Sequence, residues 1–134
     1  MSYAGDLSPQ QAFDLLKERP DAVLVDVRTQ AEWAQIGTPD LSELGREAVF
    51  LEWNTAYGPN ADFVPSLQAE VTDDVPVIFL CRSGVRSVAA ANAATAAGFK
   101  EAYNVLEGFE GNPGPTGARD VEGWKARGLP WTRS

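Results

Sequence analysis

The chain contains no histidine and a single cysteine, Cys81, among 134 residues. The first absence removes cysteine–histidine dyads and serine–histidine triads, and makes a zinc site of the usual ligands implausible. The second removes any disulfide within the chain. Any nucleophile must therefore be activated by fixed charge and backbone dipoles. Basic residues are also scarce: 11 Lys and Arg stand against 19 Asp and Glu, a formal net charge of −8. That balance argues against nucleic acid or an anionic membrane surface as a partner. No apolar run approaches the roughly 20 residues of a membrane span. The opening Met1-Ser2-Tyr3-Ala4-Gly5-Asp6 has neither the basic nor the apolar region of a secretory leader. The expectation is a cytoplasmic protein with one domain over residues 1–134.

What is present is an alternation of short apolar runs with helix signals. Ser8 as cap, Pro9 at the first helical position and Gln11 closing a capping box predict a helix that ends near Arg19, before Pro20. Residues 23–27 read as a strand, and Thr29 with Glu32 forms a second capping box opening a short helix that carries Trp33. Residues 48–53 read as a further strand, and Asn60 as the cap of a helix reaching about Ala69 despite Pro65. Val77-Ile78-Phe79-Leu80, opened by Pro76, has the pattern of a strand buried on both faces. An alanine-rich helix over 88–97 follows, ended by Gly98, then a strand over 102–105, a turn-rich loop over 112–117 and a closing helix over 121–127. Strands alternating with helices predict an α/β fold with a mainly parallel central sheet and helices on both faces.

Between the buried strand and the alanine-rich helix stands Cys81-Arg82-Ser83-Gly84-Val85-Arg86-Ser87. A tight loop running from a strand into a helix aims N–H groups inward and adds the partial positive charge of the helix start, which together cradle an anion. A cysteine opening such a loop, beside Arg82 and Arg86, is favoured as thiolate and is a nucleophile. An isolated cysteine at a strand end is more often a small buried apolar residue. Two arginines, a mid-loop glycine and the hydroxyls of Ser83 and Ser87 suit an oxyanion pocket better than a core.

This heptapeptide resembles the active-site loop of the rhodanese family of sulfurtransferases. Leu24-Val25-Asp26-Val27-Arg28 with Glu32-Trp33 resembles the family's N-terminal signature, and Asn104-Val105-Leu106-Glu107-Gly108 with Trp124 resembles its segment after the catalytic helix. The similarity runs from about Leu7 to Trp131. The chain departs from the family pattern in lacking a histidine within 35–39 and in having Gly108-Phe109 where a glycine pair is usual. The resemblance implies a three-layer rhodanese-like domain that moves sulfur through a Cys81 persulfide, with Arg82, Ser83, Gly84, Val85, Arg86 and Ser87 binding the substrate. It also implies a small anionic sulfur donor such as thiosulfate and a thiol or cyanide acceptor, with no cofactor and no metal. An acceptor protein is left open. Asp26, Arg28 and Glu32 read as structural support, pairing to pin the strand end under the loop.

Two other readings of the same residues stand beside this one. Cysteine phosphatases and arsenate reductases use the same kind of cradle, but their arginine lies six positions after the cysteine, whereas Arg86 lies five after Cys81. A non-catalytic interaction or regulatory module of the same fold typically loses the cysteine, which this chain retains. Trp33, Trp53 and Arg119 are candidates for the pocket mouth that the sequence does not place.

Overall fold

All four residues of Val77–Leu80 are buried, as expected of an apolar run without alternation. The computed structural model describes residues 3–119 and 121–133. Its order is β1 (Gly5–Leu7), α1 (Pro9–Glu18), β2 (Val23–Asp26), α2 (Gln30–Ile36), β3 (Thr38–Pro39), β4 (Val49–Phe50), β5 (Asn54–Thr55), β6 (Gly58–Pro59), α3 (Phe63–Glu70), β7 (Val77–Leu80), α4 (Arg86–Ala96), β8 (Ala102–Val105) and β9 (Trp131–Thr132). Strands β1, β8, β7, β2 and β4 lie side by side in that order, every pairing parallel. The short pairs β3–β9 and β5–β6 are antiparallel.

Side chains alternate across the sheet and divide the core in two. Val25, Val77 and Phe79 point to the layer that holds Phe63 and Leu67 of α3 and Ala90, Ala91 and Ala94 of α4. Leu24, Ile78 and Leu80 point to the opposite layer, with Phe13 and Leu16 of α1 and with Phe109 and Trp124 from the C-terminal segment. This is the α/β architecture expected, in three layers. The order of strand addition reverses at the centre: β2 leads outward to β4, while β7 leads to β8 on the other side. The crevice beyond such a reversal, at the carboxyl ends of the strands, is where open α/β sheets bind ligands. Asp26 and Leu80 face each other in register there.

Both capping boxes form, Ser8 with Gln11 and Thr29 with Glu32. Three expectations are corrected. The strand expected over 48–53 pairs as β4 at Val49–Phe50 alone, although Leu51 and Trp53 still donate to the carbonyls of Asp26 and Val27. Asn60 does not cap α3 directly: its Oδ1 accepts from the Asp62 N–H, the helix starts at Phe63, and Pro65 falls in the first turn, where no N–H is needed. The helix expected over 121–127 is a run of turns instead. The N–H groups of Trp124 and Lys125 donate to the carbonyls of Gly108 and Phe109, so the backbone there is tied across to another segment, with the Arg127 N–H returning to the Gly123 carbonyl. Among the described residues no helix is long and apolar enough to cross a membrane.

At the end of β2, Arg28 and Asp26 are both fully buried and form a fork-to-fork pair, Nε to Oδ1 at 2.9 Å and Nη2 to Oδ2 at 2.7 Å. Removing one partner strands the other charge in the core. Asp26→Ala is expected to lower the unfolding free energy by about 3–5 kcal/mol in urea titration, and Asp26→Ala with Arg28→Met to lose less than the single variant. Equal losses in the two would show that the stranded charge is not the cause.

Candidate active site

Cys81 follows directly on β7, so its position is set by the most deeply buried strand of the sheet; it is 1% exposed. The loop after it is held by the segment leaving β8. Phe109 N–H donates to the Cys81 carbonyl at 2.8 Å, and the Glu110 and Gly111 N–H groups both donate to the Arg82 carbonyl at 3.0 Å. The two backbones approach too closely for side chains. A Cβ on Gly84, whose φ is +98°, would lie 2.3 Å from the Leu106 carbonyl oxygen, and one on Gly108 would lie 2.6 Å from the carbonyl oxygens of Cys81 and Arg82. The Gly84 N–H then reaches back to the Cys81 Sγ at 3.1 Å. Val85, at the cap position of α4, supplies no side-chain hydrogen bond to the helix start. The sulfur thus sits between a donating loop amide and a helix N-terminus without a side-chain cap, an arrangement suited to negative charge.

Both loop arginines have carboxylate partners. Arg86 donates to the two oxygens of Glu32 at 2.7 and 3.0 Å, tying the start of α4 to α2. Glu32, expected to pair at the strand end with Asp26 and Arg28, turns to the loop arginine instead. Arg82 is half-exposed and lies 3.2 Å from Glu110, whose side chain is largely buried. A cavity of about 220 Å³ opens beside the loop, lined by Ala31, Glu32, Gln35, Ile36, Arg82 and Glu110. Cys81 does not line it. Ser83 and Gly84 are half-buried, and Val85 projects outward at 75% exposure.

The other candidates fall elsewhere. Trp33 meets Phe50 edge-on at 5.2 Å in a neighbouring depression, and the partly buried Trp53 packs against the core, edge-on to Phe63 at 4.9 Å. Arg119 donates to the Gly111 carbonyl and is not among the residues lining the 220 Å³ cavity. Ser87 is fully buried, with Oγ 3.2 Å from the Cys81 Sγ, and it donates to Oδ1 of Asn104. Asn104 and Glu110 are site neighbours that sequence reasoning did not single out. A lone amide within the strand Ala102-Tyr103-Asn104-Val105 was the available signal for the first. Glu110 had none, because only the return of the chain from β8 brings it to Arg82.

Burial raises the Glu32 carboxyl, but hydrogen bonds from Arg86 and Thr29 outweigh it and hold the group at about 2 against an ordinary 4.5. The folded-state value is depressed, so the ionised group stabilises the fold above about pH 4.5 and the contribution fades as pH falls toward 2. Glu32→Gln is therefore expected to melt lower than wild type at neutral pH, with the gap closing between these limits. A melting-temperature gap that stays constant through that range would count against the pair.

A family model described as the STR4 middle domain matches residues 4–134. The crystal structure of Rv0390 from M. tuberculosis superposes with a TM-score of 0.94 at 54% identity, covering 99% of this chain and all of that one. Uncharacterized protein RC0915 of Rickettsia conorii is 42% identical over 123 residues, 90% of this chain and 91% of its own. Thiosulfate sulfurtransferase GlpE of Glaesserella parasuis is 33% identical over 106 residues, 79% of this chain and 83% of its own. With a five-stranded parallel sheet, a cysteine loop leading into α4 and these relatives, the chain belongs to the rhodanese-like family of sulfurtransferase folds.

Proposed function

We propose that this protein is a thiosulfate sulfurtransferase that carries sulfur as a persulfide on Cys81. The observation that carries the reading is the Gly84 N–H aimed at the Cys81 Sγ from a loop flanked by Arg82 and Arg86. The Cys81 thiolate attacks the outer sulfur of thiosulfate, the S–S bond of the donor breaks, and sulfite leaves with the bonding pair. The persulfide anion then rests against the loop amide and the start of α4. Cyanide or a thiolate attacks the terminal sulfur, and the Cys81 thiolate is regenerated. Sulfite is already a good leaving anion, so the lack of histidine does not impede the reaction. The kinship with a thiosulfate sulfurtransferase supports the same donor.

A phosphoryl-transfer reading fits less well. Arg86 is one position short of the phosphatase spacing, and both ends of its guanidinium are occupied by Glu32. A phosphoryl group would have to displace a carboxylate.

Incubation with thiosulfate is expected to add the mass of one sulfur atom to the intact protein, and cyanide to remove it. The gain should vanish in Cys81→Ser; a variant that still gains sulfur overturns the assignment. Arg82 is the more exposed cation and lines the cavity, whereas Arg86 braces the loop. Arg82→Ala should therefore lower kcat/KM for dianionic thiosulfate by about 1 kcal/mol, roughly fivefold, more than for mercaptopyruvate with its single carboxylate. The loss should shrink with added salt. Arg86→Ala should slow both donors alike, and an equal loss of both in Arg82→Ala would remove Arg82 from donor selection.

A further inference from the structure

Ser87 is the first link of a hydrogen-bond chain that runs from Cys81 to an exposed strand edge, and the direction of each bond in it is fixed by chemistry. Asp6, an exposed carboxylate on β1 that only accepts, receives Nδ2 of Asn104 at 3.0 Å and the Tyr3 hydroxyl at 2.7 Å. Holding Nδ2 outward turns the Asn104 Oδ1 toward Ser87. An amide oxygen cannot donate, so Ser87 gives its one proton to Asn104. What Ser87 has left for the sulfur 3.2 Å away is a lone pair.

We propose that Asp6 and Asn104 are positioning residues that make Ser87 an acceptor toward Cys81, so that a thiol at this sulfur has a hydrogen-bond partner that the thiolate lacks. The proposal deepens the sulfurtransferase reading and rests on Cys81 as its reacting group. The Gly84 N–H opposes the chain, since a donor on the sulfur favours thiolate. The surrounding charges are matched: Arg86 with Glu32, Arg82 with Glu110, and Arg28 with Asp26. None of these cations is left uncompensated to override Ser87. Neither the thiolate nor the inner sulfur of a persulfide carries a hydrogen, so the Ser87 bond exists only after the sulfur-free thiolate takes up a proton.

Alkylation of Cys81 by iodoacetamide, followed by intact mass from about pH 5 to 10, reads the thiolate directly because the chain has one cysteine. Dividing each rate by its alkaline plateau removes changes in access to a buried sulfur. Ser87→Ala is expected to raise the normalised rate near pH 6 by about five- to tenfold, the size of one neutral hydrogen bond. Asp6→Ala, at the exposed end, frees the Asn104 amide to turn, lets Ser87 donate to the sulfur, and is expected to shift the rate in the same direction. Slower normalised alkylation in Ser87→Ala would mean that Ser87 donates to the sulfur, overturning the polarity. An unchanged profile in Asp6→Ala overturns the chain even where Ser87→Ala fails to fold. Alkylation needs no sulfur donor, so a failure to form persulfide would sink the sulfurtransferase reading separately.

Discussion

The buried guanidinium of Arg28 joins three parts of the chain at one point. It pairs with Asp26 at the end of β2, donates to the Gly37 carbonyl at 2.8 Å beyond α2, and lies 4.2 Å from the centre of the Phe109 ring. Phe109 in turn donates its N–H to the carbonyl of Cys81. The strand end, the exit of α2 and the segment that grips the cysteine loop are thus referred to one planar cation. Arginine suits this position because its fork matches a carboxylate while its face stacks on an aromatic ring, and a lysine at the same place would do neither.

Around that centre the loop is shaped by backbone more than by side chains. Gly84 and Gly108 let the 81–84 and 106–108 backbones approach within distances no Cβ allows, and the closeness places the Gly84 N–H on the sulfur. Charge is handled differently. The chain is acidic overall, yet the two loop arginines are each matched to a glutamate, so the cavity mouth is a balanced array rather than an open cationic patch. Balanced pairs hold geometry well and attract anions only locally. Under the proposed function, donor recognition falls to Arg82, the more exposed of the two, rather than to the long-range field of the protein.

Much of this was legible in the residues. The capping boxes announced α1 and α2, the unalternating Val77–Leu80 run announced a central strand, and the loop motif announced the cysteine. Expectations failed where local signals were overruled by partners distant in sequence. Residues 121–127 carry a plausible helix sequence, but the N–H groups of Gly123, Trp124 and Lys125 are claimed by the Glu107 side chain and the Gly108 and Phe109 carbonyls. The role of Glu32 shifted for the same reason: spacing identified it correctly as a helix cap, and only the fold brought Arg86 against its outer oxygens.

The sequence by itself determined α1, α2, the central strands β2 and β7, the layering of helices on a mainly parallel sheet and the place of the cysteine loop, because apolar periodicity, capping and loop composition act over a few neighbouring residues. It also excluded histidine-assisted chemistry outright. Tertiary structure alone decided that Glu32 meets Arg86 and Glu110 meets Arg82, and that Asn104 and Asp6 stand behind Ser87. Asp6 and Asn104 stand 98 positions apart and meet because β1 and β8 align in parallel with Asp6 opposite Asn104. Strand register has no local signature in either strand, so polarity along a hydrogen-bond chain that crosses the sheet becomes readable only when the strands are side by side.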